Sequence, residues 1–179
     1  MNKVLIVIDA QEDFTRGALH NEDAIKALPI IRQAVIYARA HDMKVRYTVD
    51  MHNEGTYFET QEGKNLPVLH CVMGTSGFNL CPEVLMLDSK EVTVKSHFGF
   101  KHWDKKLEGR TIDEIWLCGF CTDICVMANF QILKAQFPEV PITIIEDACA
   151  GVTPELHEAA LKVMKSCQAK VVKWSDLEK

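Results

Sequence analysis

The sequence has no apolar run long enough to cross a bilayer. Runs such as Val4–Ile8 fall far short of the roughly 20 residues that a spanning helix needs. Nor is there an excess of positive charge: the formal net charge is -5, which argues against a nucleic-acid partner, since that wants a basic stripe. No basic, then apolar, leader opens the chain, so a secretory signal is not expected. Repeats, low-complexity tracts and linkers are missing too, and one domain over residues 1–179 is the simplest organisation for 179 residues. Cysteine is the exception to this scarcity. There are seven, an odd number that fits no complete disulfide framework and, without a leader, points to reduced thiols in the cytoplasm. The remaining composition, 47% hydrophobic and 25% charged, is that of an ordinary globular protein.

What the chain does have is concentrated in residues 112–130, Ile-Asp-Glu-Ile-Trp-Leu-Cys-Gly-Phe-Cys-Thr-Asp-Ile-Cys-Val-Met-Ala-Asn-Phe. Ile115–Cys118 reads as the end of a buried strand that Gly119 breaks. Thr122 and Asp123 follow as N-cap residues of a helix, and Pro138 closes that helix because its ring cannot continue the ladder. Cys125 therefore falls in a first helical turn, where unpaired N–H groups and the positive dipole end lower a thiol's pKa. The placement suits a covalent catalyst. Two plainer readings compete. Free cysteines are often small buried hydrophobes, and Cys118, Cys121 and Cys125 could ligate a metal, although no second C-x-x-C pair completes four ligands.

The chain otherwise alternates strands and helices. Val4–Ile8 reads as a strand buried on both faces, and Asp9 follows at its end, either as a turn residue or where open α/β sheets place their chemistry. Residues 21–42 carry a helix, with its main part expected from about Pro29 to His41 and Ile31, Ala34, Val35 and Ala38 on its buried stripe. Lys44–Val49 is the second strand. Residues 50–80 lack periodicity, and long loops of this kind are usually functional. Within them Asp50, His52, Glu62 and His70 are side chains that suit zinc, iron or manganese; taken singly, each is more often a solvated loop residue. Val92–Val94 is the third strand, with Lys95 at its end. Pro141–Ile145 is the fifth. Thr153 and Pro154 start a last helix as N-cap and N1, with Leu156, Ala160, Val163 and Met164 as its apolar face. Lys170–Lys173 ends the chain as a short strand. The pattern implies a three-layer α/β/α sandwich with a mostly parallel six-stranded sheet and right-handed crossovers. In the order 3-2-1-4-5-6, Asp9 and Cys125 would meet at the switch point between the first and fourth strands.

Three of these segments resemble one family. Gly119-Phe120-Cys121-Thr122-Asp123-Ile124-Cys125-Val126 is similar to the nucleophile motif of the isochorismatase-like cysteine hydrolases, whose best-known members are nicotinamidases. Asp9-Ala10-Gln11-Glu12-Asp13-Phe14 resembles the family's opening motif. Asp50-Met51-His52, with Leu66-Pro67-Val68-Leu69-His70-Cys71 and Gly74-Thr75-Ser76-Gly77, resembles its metal loop. The resemblance implies Cys125 as nucleophile, Asp9 as general base and Lys95 as their electrostatic partner. It also implies a non-proline cis peptide at Phe120–Cys121 and an oxyanion hole from the backbone N–H groups of Cys121 and Cys125. Asp50, His52 and His70 match metal ligands; Glu62 is the choice for the remaining one, with Glu59 in reserve. The ion would be a single divalent metal, zinc first, with iron or manganese acceptable. Phe14, Phe98 and Phe120 become pocket walls. Where nicotinamidases commonly carry a Trp before the last metal His, this chain has Leu66-Pro67. The implied activity is amide hydrolysis, nicotinamide to nicotinate and ammonia, through a Cys125 thioester, by an enzyme that could form a homo-oligomer. Another small-amide or carbamoyl hydrolase is the runner-up. A non-catalytic metal-binding or redox-sensing domain is the reading outside catalysis.

Overall fold

The computed structural model describes residues 2–84, 86–107 and 111–178. Six strands form one sheet in the order β3-β2-β1-β4-β5-β6, and every neighbouring pair is parallel. They are β1 (Lys3–Ile8), β2 (Lys44–Asp50), β3 (Val92–Lys95), β4 (Glu114–Phe120), β5 (Ile142–Ala150) and β6 (Lys170–Val172). The expected α/β architecture and strand order are thus what the chain adopts. Leu5, Ile6, Val7 and Ile8 have no solvent exposure, as a central parallel strand covered on both faces requires. Fully burying one such side chain contributes about 1.5–3 kcal/mol. Among the described residues no helix is long and apolar enough to cross a membrane.

Right-handed crossovers place helix α1 (Glu22–Ala40) on one face, and α4 (Met127–Gln136) and α5 (Pro154–Ser166) on the other. Helix α1 fills the expected span 21–42, but it is one continuous helix through Pro29, where its main part was expected to begin. Asn21 caps it, its side chain accepting from the Asp23 and Ala24 amides, which stabilises a helix end by about 1 kcal/mol. Pro29 lies inside the helix on the exposed side. A mid-helix proline costs about 3 kcal/mol; burial of Ala24, Ala27, Leu28 and Ile31 across it offsets that.

Three further expectations shift. Gly119 does not end β4: with φ of 115° it continues the strand, and a Cβ there would lie 2.0 Å from the Ile8 carbonyl oxygen. Only glycine lets β4 run this close to the end of β1. The β4–β5 register shifts between Leu117 and Gly119 and pairing then resumes at Gly119–Cys149, which carries β5 on to Ala150 instead of Ile145. On α5, capped by Thr153 as expected, the buried stripe is Ala160, Leu161 and Met164, while Leu156 and Val163 are exposed. The same spacing permits both stripes; packing selected one.

Candidate active site

Strands β1 and β4 are neighbours whose connections leave in opposite directions, so a crevice opens at their carboxyl ends. Asp9 steps out of β1 with φ of 46°, a left-handed conformation that aspartate tolerates better than most residues. Its amide donates to the Thr48 carbonyl and hydroxyl oxygens, both at 3.2 Å, and the Thr48 hydroxyl donates back to Asp9 Oδ1 at 2.6 Å. Lys95, the last residue of β3, reaches past the end of β2. Its Nζ lies 2.6 Å from Asp9 Oδ2, 3.6 Å from Asp50 Oδ1 and 3.7 Å from Cys125 Sγ. The approach to Oδ2 is off the hydrogen-bonding direction, so the contact is primarily an ion pair.

Cys125 sits in a π-helical turn, Thr122–Val126, that runs straight into α4; such turns recur at functional sites. The expected caps do other work. Thr122 Oγ1 pairs with His157 Nδ1 at 2.8 Å, and Asp123 Oδ1 accepts from the Val152 amide at 2.9 Å. The peptide Phe120–Cys121 is cis, as the resemblance implied. All seven cysteines are free, and among the described residues none joins a metal-binding group.

The electrostatics reverse one expectation. The Cys125 thiol is pushed well above its ordinary pKa, by burial first and by the Asp9 carboxylate next; Lys95 pulls it back only in part. Any benefit from the helix end is outweighed because the thiol is only 4% exposed. The resting sulfur is therefore protonated and requires a base. Burial also raises Asp9, against the opposing pull of Lys95, which makes its carboxylate a better proton acceptor than an ordinary one. Burial alone would favour a neutral Lys95 amine; the Asp9 and Asp50 carboxylates, 2.6 and 3.6 Å away, outweigh it and hold the ammonium.

Across the cavity, single donor atoms from Asp50, His52, Glu62 and His70 lie within 4.8 Å of one another. His52 Nε2 is 3.1 Å from Asp50 Oδ2 and 3.5 Å from Glu62 Oε1, which is 3.7 Å from His70 Nε2. Ligand atoms on a tetrahedral ion with bonds near 2.1 Å stand about 3.4 Å apart, so two imidazoles and two carboxylates at these separations fit a divalent cation. His70 Nδ1 donates to the Val68 carbonyl at 2.8 Å, which leaves the Nε2 lone pair facing the group and fixes the tautomer. Glu59 lies on the surface outside this group.

Both halves border one cavity of about 410 Å³, lined among others by Cys121, Cys125, Phe14, Phe98, Phe120 and Leu66. Phe14 packs edge-on against His70, ring centroids 5.7 Å apart, while Phe98 is 44% exposed at the rim.

Sequence reasoning missed the residues that hold these groups in place. The Gln11 side chain accepts from the Asp50 amide at 2.7 Å and donates to the Asp50 carbonyl at 3.0 Å and the Phe78 carbonyl at 2.8 Å. Asp13 accepts from the Cys71 amide at 2.7 Å. Asn129, fully buried, donates to the Cys125 and Phe98 carbonyls at 2.8 and 3.2 Å and accepts from the Phe100 amide and Trp103 Nε1 at 3.0 and 2.9 Å. A lone Asn within the apolar stretch Cys-Val-Met-Ala-Asn-Phe was the available signal.

A thiol, a lysine and an aspartate gathered at the carboxyl edge of an open parallel sheet place the candidate site where doubly wound α/β enzymes carry their chemistry. The chain belongs to the isochorismatase family, whose domain matches residues 3–176, and it is a hydrolase of that family. It is 26% identical over 184 residues to a nicotinamidase/pyrazinamidase from Mycobacterium tuberculosis, covering 95% of this chain and 98% of that protein. The solved nicotinamidase PncA from Bacillus subtilis superposes with a TM-score of 0.83 at 29% identity, over 97% of this chain and 100% of that one. A pyrazinamidase from Pyrococcus horikoshii in complex with zinc gives 0.81 at 27% identity, over 97% and 99% of the two chains.

Proposed function

We propose that the protein hydrolyses a small carboxamide, nicotinamide first, through a thioester on Cys125. The observation that carries this reading is the position of Lys95 Nζ, within 2.6 Å of Asp9 and 3.7 Å of Cys125, beside a cavity with a cation-binding group on its other side. Asp9 takes the Cys125 proton, and Lys95 keeps the charges in register as negative charge moves to sulfur. The thiolate attacks the carboxamide carbon. Backbone N–H groups of Cys121 and Cys125 then receive the oxyanion, each donor lowering the barrier by about 3 kcal/mol. Asp9 returns its proton to the departing ammonia and next activates the water that cleaves the thioester. A divalent ion held by Asp50, His52, Glu62 and His70, zinc by its donor set with iron or manganese acceptable, would supply a Lewis-acidic anchor for a ring nitrogen. Phe14 and Phe120 exclude water around the reacting carbon.

The expected result is ammonia release from nicotinamide by the wild type and none above background from Cys125→Ala. Equal rates, or none from either, would overturn the reading. A different small amide or a carbamoyl substrate is favoured by one observation, the narrow Leu66 side chain on the cavity wall. An amide panel assayed with and without chelator separates the two.

A further inference from the structure

We propose that the groove beside the catalytic cavity is a second substrate subsite, and that the substrate is an amide carrying an uncharged hydrogen-bonding extension. The inference rests on the amidase reading and names its substrate class more narrowly. The groove, about 610 Å³ in volume, shares Glu62, Leu66, Phe98 and Ile124 with the catalytic cavity. Those four side chains are the partition. Two of them, Leu66 and Phe98, are 36% and 44% exposed, so the partition is thin and open toward solvent rather than part of the packed core.

The size of the catalytic cavity points the same way. At about 30 Å³ per water, its roughly 410 Å³ holds about a dozen waters, more than a single ring with one carboxamide displaces. Cys125 and the partition residues Glu62, Leu66, Phe98 and Ile124 line the same cavity, so an amide held at the thiol and long enough to fill that space reaches the partition. Beyond the partition, α2 (Gln61–Asn65) supplies Gln61 and Asn65 on one side, and the segment after β3 supplies Ser96 and His97 on the other. These side chains offer hydrogen-bond donors and acceptors beside the apolar Leu66, Phe98 and Ile124 of the partition. The Asn65 side chain is oriented by donating to the Gln61 carbonyl at 2.7 Å. Among the described residues neither lining includes Lys or Arg, and Glu62 stands between the two spaces. An anionic tail would give up its hydration with no lysine or arginine in either lining to pair with it; a hydroxyl, ether or second amide would find partners.

The test compares nicotinamide with nicotinamides bearing a hydroxyalkyl chain at ring positions 4, 5 or 6, and with their carboxyalkyl counterparts. Turnover is read as kcat/KM and binding by calorimetry in Cys125→Ala protein. At least one hydroxyalkyl amide is expected to equal or exceed nicotinamide in both measurements, and its carboxyalkyl counterpart to fall about tenfold below it. In an Asn65→Ala, His97→Ala variant the ratio of hydroxyalkyl amide to nicotinamide should fall about tenfold, the size of one lost hydrogen bond. Nicotinamide turnover with every hydroxyalkyl amide rejected, or a ratio unmoved by the variant, overturns the subsite and leaves the amidase reading intact. Selective binding to Cys125→Ala without turnover by the wild type overturns the amidase reading and leaves the subsite.

Discussion

The two walls of the cavity are built by different means. Asp9 and Lys95 leave strand ends, and their positions follow from ladder register: Ile8 lies opposite Gly119, and Asp50 opposite Lys95. The candidate cation-binding group spans residues 50–70, and apart from Asp50 at the end of β2 and Glu62 in a five-residue helix, Gln61–Asn65, it is carried by segments outside the named strands and helices. There side chains hold the backbone, Gln11 on Asp50 and Asp13 on Cys71, and the Val68 carbonyl holds the His70 ring. A sheet fixes its strand ends through many backbone bonds at once. A loop needs a separate buried polar tie for each ligand, and each tie left half made costs about 1–3 kcal/mol. The sheet side should therefore fail only when its chemistry is removed, and the loop side also when its supports are.

The largest effect tests the sheet side. Asp9→Asn and Lys95→Met should each lower kcat about 10³-fold or more while the circular dichroism spectrum stays native. A loss under tenfold in either would remove that residue from the reaction. Next comes the loop: His70→Ala and Glu62→Gln should weaken metal affinity about 10–100-fold, measured by elemental analysis after dialysis, with a rise in KM larger than the fall in kcat. Should kcat fall as steeply as in Asp9→Asn, the two walls are one machine and the contrast is lost.

A smaller effect is expected from the tie between the Cys125 turn and the segment that follows β3. Asn129→Ala leaves the Cys125 and Phe98 carbonyls without their donor and should cost about 3 kcal/mol, seen as a Tm lower by about 10 °C, with kcat down about tenfold. Asn129→Asp keeps the acceptor for the Phe100 amide and Trp103, so a kcat loss equal to that of Ala would assign the effect to the two donated bonds. The smallest is Thr48→Val. With Asp9 as the proposed base, activity should decline as pH drops through its pKa, which burial already raises. The Thr48 hydroxyl stabilises the carboxylate and opposes that rise, so its removal should move the acidic limb of kcat/KM to higher pH, with a change of about twofold or less on the plateau. A limb that stays put would assign the titration to another group.

Much of this was legible in the residues themselves. The run Val4–Ile8 specified a central strand, and Thr153-Pro154 specified a helix start, because β-branched burial and N-capping are local physics. Pro29 reads as the start of the main part of α1, and only burial of the stripe on both sides of it shows that one helix passes through. Leu156 and Val163 were misassigned because a helical stripe can be drawn through two faces of α5 with equal regularity. For the site, the motif around Cys125 was specific, whereas Glu62 had to be chosen between two glutamates without contact information.

By itself the sequence determined the alternation of strands and helices, hence a parallel sheet, and the residue types at its carboxyl edge, since those depend on neighbours along the chain. Only the tertiary structure decided that Lys95 reaches past the end of β2 to Asp9, that Glu62 and not Glu59 turns inward, and that burial pushes the Cys125 thiol up. Each of these depends on distance and dielectric between residues tens of positions apart, and burial is a property of the packed molecule that no local stretch contains.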